Sequence, residues 1–149
     1  MMKRDGTFRL PRRKVTDAPR FAEADNLTGS IIAAGIEVHR ALGPGLLESD
    51  CDWTLTKELE LRGPGTSTEQ RVRIEYKGFV RDEPLRHDVL VGQCVLVEVK
   101  AVQAVLAALK AQLLTYMKLL DVPLDLILSV HQEKLVDGIS RLIRPGANR

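Results

Sequence analysis

The chain is short of the residue patterns that usually announce a chemistry. Its two cysteines, Cys51 and Cys94, stand alone, with no CxxC or Cys/His spacing around them, which leaves a zinc site without ligands. Isolated thiols of this kind suit a reducing interior. No apolar run approaches the roughly 20 residues of a membrane span, and the first residues lack the apolar core of a signal peptide. A soluble, cytoplasmic protein with no membrane partner is the expectation. No internal repeat is evident.

What is present is a chain of 149 residues, 44% of them apolar, enough to bury one ordinary core without cross-links. The net charge of +2 conceals an asymmetry. Residues 1 to 20 carry seven basic side chains, Lys3, Arg4, Arg9, Arg12, Arg13, Lys14 and Arg20, against Asp5 and Asp17, which leaves the remainder at about −3. Residues 1–24 therefore read as a flexible basic tail and 25–149 as a single domain. Such a tail can neutralise phosphates, although many basic termini are only solvated extensions.

Past the tail, Asn26 or Thr28 can cap a helix in which Leu27, Ile31, Ile32, Ala34, Val38, Ala41 and Leu42 recur at helical spacing until Gly43-Pro44-Gly45 stops it. A second helix is expected over 46–61, with Leu47, Cys51, Leu55 and Leu59 on one stripe. The period then becomes two: Val72, Ile74 and Tyr76 alternate with charged residues, the pattern of a half-buried strand. Further strands are expected at 86–91 and 94–100, which with the first would make a β-meander. The helical period returns over 103–120, the run LDLILSV at 124–130 suits a buried parallel strand, and KLVDGISRLI at 134–143 reads best as a closing strand. The order ααβββαβ(β) predicts an α/β fold, a mixed sheet flanked by helices and containing one βαβ unit.

Several charges do not fit this apolar pattern. In CVLVEVKAV (94–102), Glu98 and Lys100 fall on one strand face and Val95, Val97 and Val99 on the other. A buried ion pair is rarely better for stability than apolar replacements, so another reason for the pair is needed. Asp88 interrupts the preceding strand, and it opposes Glu98 only if the pairing is centred on Gln93. That condition predicts a three- or five-residue loop, or a bulge, in place of a two-residue turn. Glu48 projects from the buried stripe of the second helix or from its edge, and Gln112 is placed similarly on the later helix, four residues before Tyr116.

Carboxylates joined by a lysine are the equipment of metal-assisted phosphodiester hydrolysis. Hard oxygen ligands hold Mg²⁺ or Mn²⁺, the cation acidifies water and neutralises the phosphate, and an ammonium orients the nucleophile. Asp88 and Glu98 are the candidate ligands, with the Val99 carbonyl a third, and Lys100 is the candidate for orienting water. Each piece has a plainer explanation too: Glu98 and Lys100 could be a same-face ion pair at a sheet edge, and Glu48 could serve the helix dipole.

The segments EVHRALGPGLLES (37–49), YKG (76–78), RHDVLV (86–91), VEVKAV (97–102), AQLLTYMKL (111–119) and KLVDGISRLI (134–143) together resemble the GxxExxY family, small bacterial proteins of the PD-(D/E)XK nuclease superfamily. The resemblance implies a restriction-endonuclease-like core with its site at Asp88 and Glu98-Val99-Lys100. It also implies that Glu48 is the family's helix glutamate, a site residue and metal ligand, and that Gln112 with Tyr116 matches the QxxxY motif, Gln112 supporting the site. Cys51 stands where the family name requires tyrosine. A metal-dependent nuclease acting on DNA in preference to RNA is the function implied, and small size suggests a symmetric homodimer. The competing expectation is a catalytically inactive binding or assembly module that keeps the fold.

Overall fold

The computed structural model describes residues 18–45, 47–68, 70–84, 88–101 and 107–148. Helix α1 spans Ala18–Leu42, beginning about two turns before the expected cap. Pro19 is tolerated in a first turn, where its missing N–H has no partner to lose. Arg20 then ties this end of the helix down by donating from Nη1 to the Asp121 carbonyl at 2.9 Å and from Nη2 to the Gln93 carbonyl. Residues 18–24, read from composition as tail, are thus helical, and Ala24 is fully buried. Thr28 is a mid-helix residue whose hydroxyl donates back to the Ala24 carbonyl at 3.0 Å.

Helix α2 covers Glu48–Arg62 and ends at Gly63, a left-handed residue whose N–H donates to the Leu59 carbonyl. Cys51, Leu55 and Leu59 are buried as the stripe predicts, joined by Thr56, whereas Leu47 precedes the first turn and is exposed.

Five strands form a mixed sheet in the order β1 (Thr66–Ser67), β4 (Asp88–Val91), β5 (Val95–Lys100), β6 (Leu124–Ser129) and β7 (Ile139–Ile143). Only β5 and β6 are parallel, joined through helix α3 (Ala107–Leu120). The short strand β1 and the strand β3 (Phe79–Pro84) were not legible as strands. β3 pairs with β2 (Arg71–Tyr76) as a separate two-stranded hairpin turning at Lys77-Gly78. Because that pair lies outside the main sheet, Val72 alone of its alternating apolar residues is buried, while Ile74 and Tyr76 are exposed. The closing segment is a single 3₁₀ turn, Leu135–Gly138, followed by the expected strand, β7.

The main core lies between one sheet face and the first two helices. Val89, Val91, Val95, Val97, Val99, Leu124, Leu126 and Leu128 meet Ala24, Ile31, Ala34 and Val38 of α1 and Cys51, Leu55 and Leu59 of α2. On the other face Leu90 and Leu96 join Val122, and Leu113 and Met117 of α3 are fully buried. Strands β5 and β6 are therefore covered on both sides, which is why they read as nearly continuous apolar runs.

Between β4 and β5 the chain turns through Gly92, Gln93 and Cys94, closed by the Cys94 N–H on the Val91 carbonyl at 3.1 Å. Gly92 has φ +59°, and a Cβ there would fall 2.6 Å from Leu27 Cδ1, so both conformation and space favour glycine.

Gly138 joins the 3₁₀ turn to β7, and a Cβ on it would lie 2.4 Å from the Ser129 carbonyl oxygen. Gly138→Ala is expected to cost about 1–3 kcal/mol in urea unfolding. Gly29→Ala, on an exposed turn of α1 with nothing within 4 Å, should add roughly 0.5–1 kcal/mol. Equal effects of the two would show that the backbone contact at Gly138 is not a constraint.

Candidate active site

The three-residue link between β4 and β5 sets the pairing Asp88 to Glu98, Val89 to Val97, Leu90 to Leu96 and Val91 to Val95. The pairing is centred on Gln93, as the odd loop requires, so Asp88 opposes Glu98 in the ladder.

Glu98 is 4% exposed on a strand covered from both sides. Its Oε1 pairs with the Lys100 ammonium at 3.1 Å, the two side chains sharing one sheet face. Its Oε2 is buried and has no donor among the described residues. Val99 points the other way, into the core beside Cys51. Its side chain cannot take part in the cluster.

Glu48 reaches the same end of β5 from the start of α2. Its Oε1 accepts the Ala101 N–H at 2.6 Å, which satisfies a backbone donor just beyond the last strand residue. The contact links the two residues across 53 positions and holds the chain directly after Lys100. The sequence places Glu48 at the edge of the buried stripe; the structure shows what that edge meets.

Gln112 is off the buried stripe. The buried stripe of α3 runs through Leu113 and Met117, one position further round than Leu109 and Tyr116 suggested, and Gln112 is consequently exposed. Its Nε2 donates to the Tyr116 hydroxyl at 3.0 Å. The expected place of Gln112 on the buried stripe is therefore corrected: it is exposed, and its bond is to Tyr116, four residues on along the same helix.

One buried acid went unrecognised in the sequence. Asp125, fully buried on β6, is set opposite Leu96, while Glu98 is set opposite Ile127. In a parallel pair such partners share a face, so Asp125 lies on the face of Glu98 and Lys100. Neither of its carboxylate oxygens has a donor among the described residues. Burial, then the negative charge of Glu98, push its carboxyl well above the usual carboxylate range, and the Lys100 ammonium offsets part of the effect. The signal was available: an aspartate in the middle of LDLILSV breaks the apolar run as Glu98 breaks its own.

The cysteines offer no nucleophile. Burial and the surrounding acids Asp50, Asp52 and Glu48 raise the Cys51 thiol, and burial followed by Glu23 pushes Cys94 up to about 11. Both thiols are free and buried, conditions that keep them protonated and inert.

Among the described residues no group of three or more histidines, cysteines, aspartates or glutamates is gathered as a metal cage. The donor set nevertheless fits a hard divalent cation: Glu98 Oε2 is a buried carboxylate oxygen without a partner, in register with a second acid, and such oxygens are what Mg²⁺ or Mn²⁺ accept. Among the described residues no helix is long and apolar enough to cross a membrane.

A family model described as the PD-(D/E)XK nuclease superfamily matches residues 25–142. No curated protein and no solved structure matches the chain.

Removing the Glu48 carboxylate should leave the Ala101 N–H without an acceptor. Glu48→Ala is expected to lower stability by about 1–3 kcal/mol, while Glu48→Gln, which keeps an acceptor oxygen, should lose less than half as much. Denaturant titration of the two variants checks this, and equal losses would remove the hydrogen bond from the account.

Proposed function

The chain belongs to the PD-(D/E)XK nuclease superfamily, and from that premise we propose that it hydrolyses phosphodiester bonds in a metal-dependent reaction, with DNA preferred over RNA. The observation that carries this reading is the Glu98–Lys100 pair: a buried carboxylate with one oxygen on an ammonium and the other without a donor, opposite Asp88 in the ladder. Stability alone gives little reason to keep such a pair in a doubly covered strand.

In this reading Asp88 and Glu98 hold Mg²⁺ or Mn²⁺, with the Val99 carbonyl a further candidate. Superfamily members usually use divalent metals, and the cation supplies charge neutralisation at the phosphate and acidification of water. Lys100 carries three N–H donors. One serves Glu98, which fixes the ammonium in place to orient water toward phosphorus. Glu48 acts on Lys100 indirectly, by pinning the Ala101 amide and with it the end of β5. It is a positioning residue, with Oε1 already committed.

Nucleic acid as the partner is supported by the β2–β3 hairpin. Tyr76 and Phe79 are 66% and 76% exposed at its turn, beside Lys77 and with Arg71 on the same hairpin, where Arg73 and Arg81 are paired with Glu75 and Glu83. Aromatic faces stack on bases and cations meet phosphates. The basic residues before Ala18 lie outside the described residues, and we propose them as a second electrostatic contact.

The motif around GPGLLES further supports placing the chain with the GxxExxY proteins, Cys51 taking the tyrosine position inside the apolar core. The outward Gln112 favours a second reading, a binding module that retains the fold without the chemistry.

Incubation with linear and circular DNA, single strands and RNA, in Mg²⁺, Mn²⁺ or EDTA, separates the two. Cleavage that EDTA abolishes and that falls about 10²-fold or more in Lys100→Met and Glu98→Gln is expected. Undiminished cleavage by Lys100→Met would remove its role, and nucleic-acid binding without cleavage in any metal would favour the binding module.

A further inference from the structure

The proposed reaction uses Asp88, Glu98 and Lys100, and it leaves Asp125 unexplained. Asp125 is fully buried, and an aspartate there is a liability to an apolar sheet face unless it is protonated or its charge is compensated. The strand neighbours at its level are Leu96 of β5 and Leu142 of β7, and neither side chain carries a donor. The nearby ammonium of Lys100 already contacts Glu98 Oε1. Among the described residues, three buried carboxylate oxygens, Asp125 Oδ1, Asp125 Oδ2 and Glu98 Oε2, have no donor, and the acids that carry them share one face of two adjacent strands. Without a metal the acid on β6 is held protonated by its burial and by Glu98; with the proton gone, these hard, buried oxygens, which lack donors among the described residues, are of the kind that a divalent cation accepts as ligands.

We propose that Asp125 is part of the divalent-cation site centred on Glu98, adding a carboxylate from β6 to those from β4 and β5. The inference rests on the nuclease reading for the existence of that site and goes beyond it in assigning β6 to it. On this view β6 is more than a structural neighbour of β5, and the parallel register of the two strands, Leu96 to Asp125, determines how many charges the site offers.

Mn²⁺ titration by calorimetry, with thermal unfolding followed in Mn²⁺ and in EDTA, tests this on the full chain, comparing the wild type with Asp125→Asn, Asp125→Leu and Glu98→Gln. In EDTA, at least one Asp125 variant should unfold at or above the wild-type temperature, since an uncompensated acid is removed; the amide and the leucine make opposite demands for donors, so a fault peculiar to one is not shared by the other. The Mn²⁺ Kd should weaken tenfold or more in whichever variant folds, and the Mn²⁺-induced rise in Tm should shrink with it. A Kd within twofold of wild type in a folded Asp125 variant overturns the proposal. If Glu98→Gln abolishes Mn²⁺ binding in that case, the nuclease reading survives without Asp125. If the wild type binds no Mn²⁺, both fall together.

Discussion

Everything of chemical interest in this fold depends on burying a carboxylate in the middle of a sheet that is covered on both sides. Strand β5 has α1 and α2 over its valines and lies against β6 along its whole length. An acid on such a strand has little access to water, so its charge must be met by the protein or by a bound ion. Lys100 meets half of it, through Glu98 Oε1. Glu98 Oε2 is left without a donor among the described residues, and Asp125 on the same face adds to the shortfall.

The surrounding architecture is arranged to keep the charged segment in place. The valine face of β5 is gripped by apolar side chains from two helices, which fixes the height of the strand. The odd loop through Gly92, Gln93 and Cys94 fixes its register with β4. A slip of one residue would exchange the valine face for the charged one, so hydrophobic burial and site geometry enforce the same register. At the far end, Glu48 accepts the Ala101 amide and couples the start of α2 to the end of β5. Three kinds of force, apolar packing, loop geometry and one charge-assisted hydrogen bond, therefore act on a strand of six residues.

The periphery follows different rules. The β2–β3 hairpin has its own register and buries Val72 and the Glu75 side chain, leaving Tyr76, Phe79 and charged groups of both signs in water. Helix α3 presents Leu113 and Met117 to the sheet, and Gln112 and Tyr116 satisfy one another on its outer side.

Much of this was legible in the residues themselves. A period of 3.6 identified the three helices and a period of two identified β2, because one-sided burial imposes those periods; β5 and β6 were legible as short apolar runs because both their faces are covered, and the anomalous charges in VEVK were visible against valine neighbours. Even the parity of the β4–β5 loop followed once Asp88 and Glu98 were required to oppose one another. Lateral relations were decided only in three dimensions. The role of Glu48 on the Ala101 amide, the one-position rotation that turns Gln112 outward, the early start of α1 under the hold of Arg20 on the Gln93 and Asp121 carbonyls, and above all the placing of Asp125 on the face of Glu98 join residues far apart in the chain. Local periodicity reports which side of an element is buried. It carries no information on which distant side chain will be buried against it, because that is set by sheet order and register.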